Sequence, residues 1–253
     1  LMKIYRGNKE INDYLKLFEN DYKDVKEIED NVKKIIEDVK KDKDNALVKY
    51  TKKFDTPFFE EKDIYVTGDE IDFAYDKLKR EEGYFIDALN AAYENIYEYH
   101  QKQKEESWFF YKDGSVLGQI IRPLERVGIY VPGGKGAYPS TVLMNAIPAK
   151  VAGVHEIIMV TPPKKDKSID EHILAAAKLC KINKIFKVGG AHAIAALSFG
   201  TNIIPKVDKI VGPGNIYVAL AKKLLYGYVD IDSVAGPSEI LVIADKSANS
   251  KYI

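Results

Sequence analysis

Three glycine-containing runs hold the first hint of chemistry in this sequence: Val131-Pro132-Gly133-Gly134-Lys135-Gly136, Val188-Gly189-Gly190-Ala191 and Val211-Gly212-Pro213-Gly214-Asn215. Each follows a short apolar stretch and leads into a run of helical composition. A glycine lets main-chain amides come close to a ligand, and a helix N-terminus adds roughly half a positive charge that favours phosphate or carboxylate. Three such corners on one sheet edge describe an anion or nucleotide site, whereas any single one also serves a plain α/β scaffold with short connections. The ordinary dinucleotide fingerprint is absent: no Gly-x-Gly-x-x-Gly follows a strand, and Glu156 to Val160 runs into Thr161-Pro162-Pro163 without an acidic residue. There is no Gly-x-x-x-x-Gly-Lys-Ser/Thr phosphate loop, which disfavours nucleotide hydrolysis, and no Gly-x-Ser-x-Gly elbow.

A fourth segment, Asp230-Ile231-Asp232-Ser233-Val234-Ala235-Gly236-Pro237-Ser238-Glu239, gathers carboxylates and hydroxyls in one polar loop ahead of an apolar run. It would orient a cationic or hydroxylated substrate by charge and hydrogen bonds, or its Asp232 and Ser238 would simply satisfy turn backbone. Four histidines are scattered as His100, His155, His172 and His192, none in a His-Glu-x-x-His pattern. His100 and His172 read as exposed helix residues and His155 as a surface or hinge residue. His192 stands apart because it follows Gly189-Gly190-Ala191 at a helix start, where it would aim a ring nitrogen at a ligand or sit in solvent. With these histidines and the single Cys180, a zinc set of nitrogen and sulfur ligands cannot be assembled.

The elements that must position these groups change character along the chain. From about Asn12 to Ser107 the sequence is charge-dense and helical in period, with Val25, Ile28, Val32, Ile35, Ile36 and Val39 three or four apart. About three helices would fill it, one of them over Gly83 to Gln103, and the charged run Lys40-Lys41-Asp42-Lys43-Asp44 reads as solvated surface. Trp108 to Tyr111 and Val116 to Ile121 read as a hairpin around Asp113-Gly114. After Pro123, strands at Val127 to Val131, Glu156 to Val160, Lys184 to Val188, Lys209 to Val211 and Glu239 to Ala244 alternate with helices at Thr141 to Val154, Ile169 to Lys181, His192 to Phe199 and Ile216 to Tyr226. That order predicts an α/β fold with a parallel sheet covered on both faces and a ligand crevice beyond the carboxyl ends of its strands.

At 253 residues the chain is long enough for two domains and for a sizeable core. Lys plus Arg and Asp plus Glu are 38 each, so no positive field gathers nucleic acid. One cysteine excludes a disulfide framework and suits a reducing compartment; Cys180 reads as a small core residue late in a helix. Leu1-Met2-Lys3-Ile4-Tyr5 is too polar for a signal peptide and no apolar run approaches ~20 residues, so no membrane association and a cytoplasmic location are expected.

Taken together, Arg126 to Gly134, Val188 to Leu197, Val211 to Asn215 and Ile231 to Glu239 resemble successive motifs of the histidinol dehydrogenase family, and Tyr50-Thr51-Lys52-Lys53-Phe54-Asp55 is similar to it too. The resemblance implies a zinc-dependent homodimeric enzyme that oxidises L-histidinol through the aldehyde to L-histidine with two NAD, in histidine biosynthesis. It implies coenzyme contacts at Tyr130 and Asn215, a further one at His192 where the family usually has glutamine, and a substrate contact at Ser238. It also implies a Rossmann-like domain over 123–237, preceded by a mainly helical segment with a hairpin over 1–122 that forms part of a second, incomplete α/β domain, to which 238–253 returns as a strand and a helix start. The family's Gln-Ala-Glu-His segment, its Glu-His pair and all its zinc ligands would lie beyond Ile253, so the chain is expected to be inactive with histidinol alone. The other reading is a non-catalytic nucleotide- or partner-binding protein derived from the family.

Overall fold

The computed structural model describes residues 5, 7–18, 22–133, 136–234, 240–249 and 251. Its first part folds as five helices, α1 (Gly7–Phe18), α2 (Tyr22–Asp42), α3 (Asp44–Phe54), α4 (Gly68–Glu81) and α5 (Gly83–Gln101), where the periodicity led to an expectation of about three. Two of the breaks are single residues that leave the three-to-four spacing almost undisturbed: Lys43 turns the chain at φ 51 between α2 and α3, and Glu82 at φ −134 separates α4 from α5. The start of α4 is fixed by a reciprocal box, in which Thr67 Oγ1 accepts from the Glu70 amide at 3.3 Å and Glu70 Oε2 accepts from the Thr67 amide at 2.9 Å. Strands β1 (Trp108–Lys112) and β2 (Ser115–Gln119) form the expected antiparallel hairpin, with Asp113 at φ 50 and Gly114 at φ 79 in the turn.

The remaining strands are β3 (Arg126–Tyr130), β4 (Glu156–Val160), β5 (Lys184–Phe186), β6 (Lys209–Val211) and β7 (Asp230–Ile231), and they pair in parallel in the order β5-β4-β3-β6-β7. Helices α6 (Pro139–Val151), α7 (Glu171–Leu179), α8 (Gly190–Phe199) and α9 (Ile216–Leu225) make the crossovers. The side-chain period of two divides the sheet: Val127, Ile129 and Met159 join the core under α6 and α7, while Tyr130, Ile158 and Val160 join that under α8 and α9. The chain runs outward from β3 in both directions, so the strand order reverses between β3 and β6. A crevice opens at their carboxyl ends because their loops lead to helices on opposite faces.

The helices before the sheet pack onto both of its layers. Val32, Ile35, Ile36 and Val39 of α2 are buried in the cluster that holds α8 and α9, and Ile71, Ala74 and Leu89 of α4 and α5 in that of α6 and α7. Each of the larger ones contributes roughly 1.5–3 kcal/mol by burial. The open edge of β5 is covered by residues 64–66: the Val66 amide donates to Ile185 and the Lys187 amide to Ile64, at 2.9 and 2.7 Å.

Three expectations need correcting. Asp230 and Ile231, read as loop, form the edge strand β7. The strand expected at Glu239 to Ala244 is not formed over its described residues, 240–244; Ile240 and Ile243 are 88% and 91% exposed, and among the described residues no strand pairs with their main chain. The charged run at 40–44 is only partly solvated, because Lys43 Nζ donates to the Gly200 carbonyl at 3.0 Å and buried Asp44 accepts the Asn202 amide at 3.0 Å. Cys180 is buried directly after α7, as expected, and burial pushes its thiol up to about 11.

Candidate functional site

Tyr130 ends β3, His192 lies in the first turn of α8, and Asn215 precedes α9; the topology brings all three to one cavity of about 420 Å³ at the β3–β6 switch. Tyr130 is buried, and its hydroxyl oxygen accepts the Gly190 amide at 3.1 Å. Burial pushes the phenol up to about 12, so it keeps its proton at neutral pH, and among the described residues that proton has no acceptor. Asn215 caps α9, its Oδ1 accepting from the amides of Tyr217 and Val218 at 3.1 and 3.2 Å. The cap fixes the side chain and leaves its NH₂ group to donate toward the cavity.

His192 is 1% exposed, so the solvated helix-start reading fails. Its Nε2 lies 3.3 Å from Thr51 Oγ1, and its Nδ1 is buried with no partner among the described residues. Burial lowers its pKa to about 3, leaving a neutral ring throughout the physiological range, packed beside the stacked pair Tyr50 and Phe54 at centroid distances of 5.9 and 6.3 Å. It is a fixed hydrogen-bonding group and not a base. Ser238 lies outside the described residues.

The corners are tight for reasons internal to the protein. A side chain on Gly189 would strike the Pro162 ring at 2.5 Å, so this corner packs directly on the end of β4. Gly212 has φ +115, and a Cβ there would lie 2.2 Å from the Tyr130 carbonyl oxygen. The same residue is gripped from the other side: its amide donates to Asp232 Oδ2 at 2.9 Å, and its carbonyl accepts from Lys222 Nζ at 3.1 Å. Lys222 and Asp232 also pair with each other, the lysine side chain 3% exposed and the aspartate 34%. Sequence reasoning assigned Asp232 to a polar loop and gave Lys222 no role, because a lysine on a helix normally points to water.

One further cavity residue was missed. Asp55, at the end of α3, lines this cavity and a second one of about 550 Å³ that shares Pro162 and Pro163. Its Oδ2 is buried without a partner among the described residues, and desolvation pushes the carboxyl up to about 6. Its run was noted only for its familiarity, since nothing in the periodicity says that α3 ends against β4. A larger cavity of about 740 Å³ lies between α6, the end of α5, residues 121–124 and the β6–β7 edge, where Asp232 lines it, and neither Asp55 nor His192 does.

Of the other histidines, His155 is exposed, as expected. His100 and His172 are half-buried, not free on helix faces: His100 Nδ1 meets Gln103 Oε1 at 2.6 Å, and His172 bridges Asp170 at 3.0 Å and Glu82 at 3.3 Å. Among the described residues no three His, Cys, Asp or Glu side chains come together to hold a metal, and no helix is long and apolar enough to cross a membrane.

Comparison with known proteins places this geometry in a family. A family model described as histidinol dehydrogenase matches residues 18–253. A histidinol dehydrogenase of Clostridium acetobutylicum is 57% identical over 238 residues, 94% of this chain and 54% of that protein. One from Listeria monocytogenes is 51% identical, covering 100% of this chain and 58% of that protein. Among solved structures, the histidinol dehydrogenase of Elizabethkingia anophelis superposes with a TM-score of 0.79 at 43% identity, over 88% of this chain and 51% of that one. The chain thus spans about half the length of the curated relatives it matches.

Proposed function

The chain belongs to the histidinol dehydrogenase family, and from that footing we propose that its cavity is the NAD-binding part of a site that oxidises L-histidinol to L-histidine, in a cytoplasmic homodimer. The observation that carries this reading is the set of hydrogen-bonding groups converging at the β3–β6 switch with functions left unused by the protein: the Tyr130 proton, the Asn215 amide and the buried Nδ1 of His192. Parallel sheets bind dinucleotides at this place, and such groups fit the hydroxyls and amide of a nicotinamide coenzyme. When bound, NAD would supply the hydride acceptor.

Each residue then has a stated task. Tyr130 donates from a hydroxyl whose oxygen is anchored by Gly190, so its direction is set before ligand arrives. Asn215 donates from an amide locked by the α9 cap. His192 offers Nδ1 in place of the glutamine usual in the family, and because its ring is neutral it makes one hydrogen bond without bringing charge. Ser238 we assign to the substrate.

Zinc, which the resemblance also implies, does not fit the described residues, which bring no donor set together. Titration calorimetry of the chain with NAD tests the coenzyme reading. Asn215→Ala is expected to weaken binding at least about tenfold, as loss of a positioned hydrogen bond does; binding unchanged by that substitution removes the assignment.

A further inference from the structure

In parallel sheets that bind dinucleotides, an acidic residue at the end of the second strand accepts the hydroxyls of the adenosine ribose. Here the second strand is β4, and it ends in Thr161-Pro162-Pro163, which offers no carboxylate. The structure brings one to the same place from elsewhere. Asp55 lines the two cavities that meet at Pro162 and Pro163, and the next residue is tied down, Thr56 Oγ1 donating to the Lys165 carbonyl at 2.8 Å. A carboxylate with a buried, unpartnered oxygen is costly to keep, and nothing among the described residues uses this one.

Resting on the coenzyme reading above, we propose that Asp55 receives the ribose diol of the coenzyme, in place of the missing acid on β4, and that its charge selects a coenzyme whose 2′-hydroxyl carries no phosphate. Two vicinal hydroxyls donate to the two carboxylate oxygens, whereas a 2′-phosphate would bring two negative charges against a third. Burial pushes the Asp55 carboxyl up to about 6, so it is ionised at pH 7.5. Of the two lysines lining the second cavity, Lys164 is held by Asp170 at 2.8 Å and Lys165 gives its carbonyl to Thr56.

The test titrates the full chain with NAD, 2′-deoxy-NAD and NADP at pH 7.5, for wild type, Asp55→Asn and Asp55→Ala, with thermal melts alongside. Wild type should bind NAD about 10–100-fold more tightly than 2′-deoxy-NAD, the loss typical of a hydrogen bond to a charged group, and should disfavour NADP at least as strongly. Asp55→Asn should weaken NAD by a similar factor, leave 2′-deoxy-NAD near its wild-type affinity and narrow the gap to NADP. Wild type binding 2′-deoxy-NAD or NADP as tightly as NAD overturns the proposal without recourse to any variant. So does a folded Asp55→Asn with unchanged NAD affinity; if Asn215→Ala still weakens NAD in that case, the coenzyme reading stands and only the Asp55 role falls. Wild type binding no NAD at all removes both.

Discussion

Replacing Asp55 by asparagine should make the free protein more stable at neutral pH. The carboxyl is pushed from 3.8 to about 6 by desolvation alone, so the folded state holds its charge at a cost. A shift of that size corresponds to about 3 kcal/mol, and because the side chain keeps partial contact with the cavity, solvent screening reduces the expected gain to roughly 1–2 kcal/mol. The sign follows from linkage. A carboxyl whose folded pKa lies above its unfolded value favours the folded state fully below pH 3.8, and that contribution is lost as pH rises through about 6. Asparagine does not titrate, so the advantage of Asp55→Asn should vanish below about pH 3.8, grow between about pH 4 and 6 and level off above. In thermal melts without coenzyme this is an increase of ~3–6 °C at pH 7.5 for a chain of this size. A variant less stable than wild type at pH 7.5, or a difference that does not vary with pH, would refute the premise that the carboxylate is buried unpaired.

Three other substitutions probe the frame of the site. Asp232→Asn should cost about 3–5 kcal/mol in urea unfolding and Lys222→Met clearly less, because the first strands a buried ammonium while the second leaves a carboxylate that still reaches water; equal costs would contradict this. Gly212→Ala should cost at least about 3 kcal/mol, since it forces a Cβ onto the Tyr130 carbonyl at a left-handed φ, and wild-type stability in urea would show that the corner is not packed as described. Asn215→Asp should keep its melting temperature within about 2 °C, its oxygen still capping α9, yet lose NAD affinity in titration, whereas Asn215→Ala should lose both.

What the sequence disclosed and what it withheld divide along physical lines. The strands β3, β4 and β6 were readable because a buried parallel strand must be apolar throughout, and the corners because a chain that turns from strand to helix at close quarters needs glycine. Tyr130 and Asn215 were named by the resemblance of their motifs to those of the family, not by strand or helix position. The fate of Ile240 to Ile243 was not readable, because an apolar β-branched run specifies a strand only once a neighbour is there to pair with it. Nor was Asp55: its role depends on α3 stopping where residues 56 and 165 meet, a contact between segments more than a hundred positions apart. The same holds for Lys222, which is buried because Asp232 and the Gly212 carbonyl meet it, a fact invisible to helical period.

The site's rigidity and its readiness for a ligand come from the same residues. Tyr130 spends its oxygen on Gly190 and keeps its proton; Asn215 spends its oxygen on α9 and keeps its amide; His192 spends Nε2 on Thr51 and keeps Nδ1. Each side chain has one function fixed by the protein and one left over, so its direction is set without using the group that a ligand would need. Folding bears the cost of the leftover functions of Tyr130 and His192, since buried polar groups without partners are unfavourable, whereas the exposed Asn215 amide costs nothing in the free protein. Asp55 departs from the pattern because, among the described residues, no partner fixes its carboxylate and its Oδ2 is buried unpaired, and this is why its removal should separate stability from affinity most cleanly. Saturating NAD should therefore narrow the stability gap between Asp55→Asn and wild type, because it binds the folded wild type more tightly.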